Sequence, residues 1–311
     1  MRSAPVVLTV AMLLSSNLTA PPGARQNRRG PVIDVHLHAQ KLGAFIANQP
    51  DKRWFPALRR PGSDDDLMRE SLAALAGNNV VRAVTSDAFA NVERWRQAAP
   101  ERIIPAFQCA PCTTGEEFAS TRQLAAEGRI KVIGELVWQY YGFSPSDPKL
   151  DPVWAQAEEF DLPMLIHLGP TPTGWSQTVA QDIRIRNGSA LLLEDALVRH
   201  PKARVYIAHA GWPFADDTVA MLYQYPNLHV DVSWIDWMLP RAEFHGFLKR
   251  LVQAGFANRI MFGSDQMQWP DTIRLGIEGT ESAPFLTAEQ KRAILCGNAA
   301  RFLRLDPKTC G

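Results

Sequence analysis

The chain has 311 residues, 46% hydrophobic and 21% charged, with a formal net charge of +1 at neutral pH. That is the composition of an ordinary globular protein with length enough for one large core. The near-zero charge removes any electrostatic footprint for nucleic acid and any partner chosen by bulk charge.

Residues 1–29 differ in kind from the rest. Arg2 gives a positive start, residues 4–14 (APVVLTVAMLL) are apolar apart from Thr9, and a small, polar stretch follows. The apolar core is too short to span a bilayer, so the segment is predicted to be a secretory signal peptide with a disordered tail. Export follows, to the periplasm of a bacterium or to the outside of another cell. Elsewhere no apolar stretch reaches membrane length. Residues 30–311 are predicted to form a single domain.

In chain order, β-branched apolar runs occur at 32–38, 80–87, 102–109, 130–138, 163–169, 204–211, 228–234 and 259–265. Helically spaced stretches lie between them, near 63–77, 90–99, 114–127, 151–160, 189–199, 214–224, 241–254 and 287–303. In the first, Ser63 or Asp64 is placed to cap the start and Gly77 to close the end. Strand and helix alternate eight times, which predicts an α/β fold of the (β/α)8 TIM-barrel type. A doubly wound sheet is the alternative, but no glycine-rich phosphate loop follows the first strand. Of the four cysteines, Cys109 and Cys112 have redox-motif spacing at the end of a strand rather than at a helix start. With Cys296 and Cys310 they complete an even count, read as structural thiols or disulfides.

A barrel places its chemistry at the C-terminal ends of its strands. His36 and His38 end the first run, one residue apart and on one face. The fourth run ends with Glu135, the fifth with His167, the sixth with His209 and the eighth with Asp265. By strand parity Ile133 shares a face with Glu135, Leu165 with His167, Ile207 with His209, and Met261 and Gly263 with Asp265. Six imidazole and carboxylate side chains at five strand exits predict a divalent-metal site, suited to Zn²⁺ with Mn²⁺, Fe²⁺ or Co²⁺ as alternatives. A bridged pair of ions would generate a nucleophile near neutral pH.

The segments "DVHLH", "LPMLIHLG", "VYIAHAG", "RIMFGSD" and "GNAARFLRL" also carry a resemblance. They span residues 32–305, and the chain resembles the amidohydrolase superfamily in its amidohydrolase-related branch. The resemblance implies that His36, His38 and Asp265 ligate the more buried metal, with Asp265 also the general acid/base. It implies that His167 and His209 bind a second metal, or that one of them polarises the substrate. Many two-metal relatives have a carboxylated lysine at the end of the fourth strand; here that place is Glu135. The segment "VIGELVWQYYG" resembles the metal-bridging glutamate segment of TatD-like hydrolases, which favours a two-metal hydrolase.

Aromatic residues crowd the expected barrel mouth: Trp138, Tyr140, Tyr141, Trp175, Trp212, Trp234, Trp237 and Trp269. They suit a small organic substrate with a planar or apolar body. The long connection at 169–188 is read as a lid, with Arg184 or Arg186 placed to hold a substrate carboxylate. Ser233 is placed in the pocket wall. His200, His229 and His245 are read as structural, with His229 low in the barrel and His245 exposed, and Asp34 as an internal hydrogen-bonding group. The favoured function is hydrolysis of an ester, lactone or amide. The alternatives are nonoxidative decarboxylation of an aromatic or unsaturated acid and a TatD-like nuclease, the last disfavoured by the charge. No membrane or nucleic-acid partner is expected, and homo-oligomerisation is left open.

Overall fold

A run that is apolar on both faces forms a stable strand only where both faces are covered, and the covering here is a helical shell outside and packed side chains inside. The computed structural model describes residues 29–43 and 58–311. Its strands are β1 (Val32–His38), β2 (Val80–Ser86), β3 (Ile103–Phe107), β4 (Val132–Leu136), β5 (Met164–His167), β6 (Val205–Ala208), β7 (Leu228–Asp231) and β8 (Ile260–Met261). They pair in parallel in sequence order. The ring closes where β1 meets the segment after β8: Leu37 bridges to Gln266, and the Asp265 N–H donates to the His36 carbonyl at 2.7 Å. This is the expected (β/α)8 barrel.

The helices are α1 (Asp64–Gly77), α2 (Phe89–Ala98), α3 (Gly115–Ala126), α4 (Asp151–Glu159), α5 (Trp175–Thr178), α6 (Glu194–Arg199), α7 (Ala215–Gln224), α8 (Ile235–Met238), α9 (Arg241–Gln253), α10 (Asp271–Glu281), α11 (Ala288–Arg292) and α12 (Asn298–Phe302). Ser63 caps α1 by accepting from the Asp66 N–H, and Asn78 rather than Gly77 follows its last turn. The helix expected over 287–303 is instead α11 and α12 joined by a π-turn over Ala293–Gly297. α10 was not expected at all. Its glycines lower helix propensity, yet the structure needs them: a Cβ on Gly276 would lie 2.5 Å from Asp236 Oδ2.

Phe302 of α12 packs edge-on against Tyr206 at 5.5 Å and lies 4.5 Å from the His229 ring, low in the barrel as expected. His245 is half-buried rather than exposed, because its Nε2–H donates to the Gly279 carbonyl of α10 at 3.0 Å. Disulfides join Cys109 to Cys112 and Cys296 to Cys310. The signal segment lies outside the described residues except for Arg29, which belongs to the domain: it bonds Glu281 at 2.8 and 2.9 Å and Asn78 at 2.8 Å. Among the described residues, no helix is long and apolar enough to cross a membrane.

Candidate metal centre

All six expected donors meet at one end of the barrel, each no more than 6% exposed. Strand parity brings His167 inward beside Leu165, but it does not explain Glu135 or His209. Ile133 and Ile207 pack outward among the helices, while Val132 and Tyr206 belong to an inner cluster with Leu165 and Met261. The Tyr206 hydroxyl even reaches across the barrel to donate to the Val35 carbonyl at 3.0 Å. Glu135 turns inward because β4 loses register beyond Ile133, where Gly134 has φ 134°. His209 turns inward from a 3-10 turn with φ 57°. Trp234 and Asp265, with φ 61° and 46°, also occupy the left-handed region. Such backbone costs of order 1–3 kcal/mol per residue and gathers at functional sites.

His36 Nε2 and His38 Nε2 face Asp265 Oδ1 and also Glu135 Oε2. The two imidazole nitrogens are 3.2 Å apart. Asp265 Oδ1 lies 3.6 and 3.1 Å from them, and Glu135 Oε2 lies 3.5 Å from each. Four ligands about 2.0–2.1 Å from a tetrahedral ion sit roughly 3.3–3.4 Å from one another. Asp265 with the two imidazoles, and Glu135 with the same two, lie near that spacing. His36, His38 and Asp265 form a candidate ligand group that suits a divalent cation. Glu135 uses its other oxygen on a second group: Oε1 lies 2.7 Å from His167 Nδ1 and 3.8 Å from His209 Nε2.

The outer nitrogens are held as well. His36 Nδ1 faces Asp231 Oδ2 at 3.1 Å and Ser233 Oγ at 2.9 Å. Ser233 donates to Asp231 Oδ1, and His209 Nδ1–H donates to the Ser233 carbonyl at 2.9 Å. His38 Nδ1 lies 3.3 Å from Ser86 Oγ. With the protons on those outer nitrogens, each Nε2 offers a lone pair to the centre. Asp34 is structural as expected, accepting from the His36 and Ser264 N–H groups.

Burial opposes the charged form of His36, but Glu135, Asp265 and Asp231 outweigh it and hold its pKa well above the usual range. Burial also opposes charge on Glu135, yet His36 and His167 hold its carboxyl well below the ordinary value. Burial and the neighbouring His167 lower His209. Tyr140 is pushed well above 10 by burial and by Glu135 and Asp265, so it stays a phenol. The pocket is electronegative at its base and asks for a cation.

A cavity of about 270 Å³ opens over the donors, walled by Tyr140, Tyr141, Trp175, Trp234, Gln40 and Gln108. A larger one, about 620 Å³, lies at the far end of the barrel beside Arg82 and Lys131 and touches none of the six. Pro170, Pro172, Trp175 and Val179 of the 169–188 segment line the smaller cavity, so that segment does cover it.

Several expected wall residues are elsewhere. After β4 the chain turns into a 3-10 helix, Trp138–Tyr141, which sends Trp138 into the core 6.2 Å from the Trp154 ring and leaves Tyr140 and Tyr141 on the cavity. Trp212 donates to Glu243 at 3.1 Å, and Trp237 donates to the Ser264 carbonyl at 2.7 Å. Trp269 is buried. Ser233 is fully buried behind His36 and His209 rather than in the wall. Arg184 is exposed and donates to the Gln181 and Ile183 carbonyls, both at 2.7 Å, because the irregular loop leaves those acceptors without backbone partners. Asp231, Gln40 and Gln108 were missed. Asp231 shares a strand face with Ser233, a signal that was available but unassigned.

Fold and donor set together define a barrel protein with a candidate divalent-metal centre at its strand exits. A family model described as Amidohydrolase matches residues 33–305, and the chain belongs to that family, whose members are metal-dependent. No curated protein sequence matches the chain. Among solved structures it is similar to an uncharacterized TIM-barrel protein from Bordetella bronchiseptica, at 20% identity and TM-score 0.66, covering 88% of this chain and 98% of that one. It is also similar to 5-carboxyvanillate decarboxylase from Sphingomonas paucimobilis, at 16% and 0.60 over 89% and 100%. A probable 2-pyrone-4,6-dicarboxylic acid hydrolase from Acinetobacter baumannii gives 15% and 0.59 over 88% and 99%. At these identities the likeness shows the fold.

Proposed function

We propose that the protein is a metal-dependent hydrolase acting on an ester, lactone or amide bond of a small organic molecule with a planar or apolar body. Glu135 carries this reading: one carboxylate oxygen faces His36 and His38 while the other faces His167 and His209, the arrangement of a bridge between two ions. Zinc suits this imidazole and carboxylate set, and bound there it would supply activated water and a Lewis acid for the substrate oxygen.

The chain's own residues do the rest. Asp265 lies on the cavity wall, placed to take a proton from the attacking water and return it to the leaving atom. His209 keeps its proton on the side of the Ser233 carbonyl, which leaves the Nε2 lone pair toward Glu135 Oε1, where it would help hold the second ion. The aromatic walls receive the planar body, and the 169–188 segment excludes bulk water. Decarboxylation of an aromatic acid is the weaker reading: among the described residues, no arginine or lysine lines the cavity to hold a carboxylate. Export is supported by the two disulfides, which persist in oxidising compartments.

Elemental mass spectrometry of the protein purified without chelators tests the bridge. The expected result is about two ions per chain in the wild type and about one in Glu135→Gln, with hydrolysis of an aryl ester or lactone by the wild type alone. One ion in both proteins would sink the bridged site.

A further inference from the structure

Both ring nitrogens of His167 have partners: Nδ1 lies 2.7 Å from Glu135 Oε1, and Nε2 lies 3.4 Å from the Tyr140 hydroxyl. A neutral imidazole has one N–H. With the proton on Nδ1, His167 donates to Glu135, and Nε2 consumes the Tyr140 proton as an acceptor. When Nδ1 gives its lone pair to a cation, as the proposed function requires, the proton sits on Nε2. His167 then donates to the Tyr140 oxygen, and the phenol's own proton is left free to donate elsewhere. Tyr140 forms the cavity wall beside Glu135, His167 and Asp265, so the open direction is the cavity. Its ring is fixed edge-on against His167 at 4.9 Å and Trp175 at 6.1 Å.

We propose that Tyr140 is a catalytic residue that donates a hydrogen bond to the substrate's carbonyl oxygen, and that it becomes available for this when His167 Nδ1 is engaged. The proposal rests on the hydrolase reading. It divides the work at the centre: Tyr140 holds the oxygen that gains negative charge, and Asp265 carries the proton to the leaving atom.

Tyr140→Phe keeps the ring contacts and removes only the hydroxyl. The probes are 4-nitrophenyl acetate for turnover and phenylphosphonate, a stable tetrahedral oxyanion, for calorimetric binding to zinc-loaded protein. In the variant, zinc content and KM stay at wild-type values and kcat falls about 10–100-fold. Phenylphosphonate binding weakens by a similar factor. Equal phosphonate affinity in the two proteins overturns the proposal, as does a raised KM with unchanged kcat. A wild type that cleaves no aryl ester defeats the hydrolase reading separately, and the phosphonate titration still decides whether Tyr140 donates to an oxyanion.

Discussion

Asp231 shows how much of the centre depends on a residue that touches no substrate. Fully buried, it accepts from Ser233 and from the His209 backbone N–H and faces His36 Nδ1 at 3.1 Å. Burial alone would raise its carboxyl, but His36 beside it holds the pKa below the usual value. Removing the charge frees the His36 ring to change tautomer and turn. Asp231→Asn is therefore expected to lose about 10–100-fold in zinc affinity, measured by competition with a chromogenic chelator, while its circular dichroism is unchanged. Wild-type affinity in that variant would reduce Asp231 to a packing residue. At this scale the sequence was partly legible. The types and spacing of His36, His38, Glu135, His167, His209 and Asp265 stood out because so many metal donors are rare at strand ends. Asp231 was hidden because an acid on a strand face is ambiguous until its neighbours across the barrel are known.

Among the elements, α10 shows the limit of propensity. The segment carries Gly276 and Gly279 and reads poorly as a helix, but α8 lies so close that a side chain is not tolerated. A Cβ on Gly276 would meet Asp236 Oδ2 at 2.5 Å, and one on Gly279 would meet the Asp236 carbonyl at 2.4 Å. Tertiary packing supplies what local preference withholds. Gly276→Ala is expected to destabilise by about 1–3 kcal/mol through overpacking. Combined with Asp236→Ala, the cost should fall below the sum of the single changes, as denaturant melts would register. Simple addition would mean that the two sites do not touch. The aromatic expectations held only in part at this scale: Tyr140, Tyr141, Trp175 and Trp234 line the cavity, but the 3-10 turn after β4 sends Trp138 into the core.

For the molecule as a whole, His229 at the barrel base couples folding to pH. Burial lowers its pKa to about 4 from 6.5, aided by Arg259 and Arg301. The unfolded chain therefore binds the proton more readily between those values, and protonation pulls the equilibrium toward unfolding. Stability should rise as pH increases from about 4 to 6.5, by up to about 3 kcal/mol from this group. His229→Gln is expected to flatten that window in thermal melts from pH 4 to 7; a wild-type slope in the variant would assign the dependence to other groups.

The strand–helix alternation, the barrel it implies and the identities of all six candidate donors were written in the order of residues, because hydrophobic period and strand-end position are local properties. Parity placed Glu135 and His209 on faces shared with Ile133 and Ile207, which in fact pack outward. Only the left-handed φ at His209 and the register loss after Ile133 turn those two donors into the barrel. Backbone departures of that kind are held by packing from strands far apart in sequence, as are the tautomers of His36 and His209 and the choice of Tyr140 over Trp138 for the cavity wall. Chain order cannot express such contacts, and the closed barrel decided them.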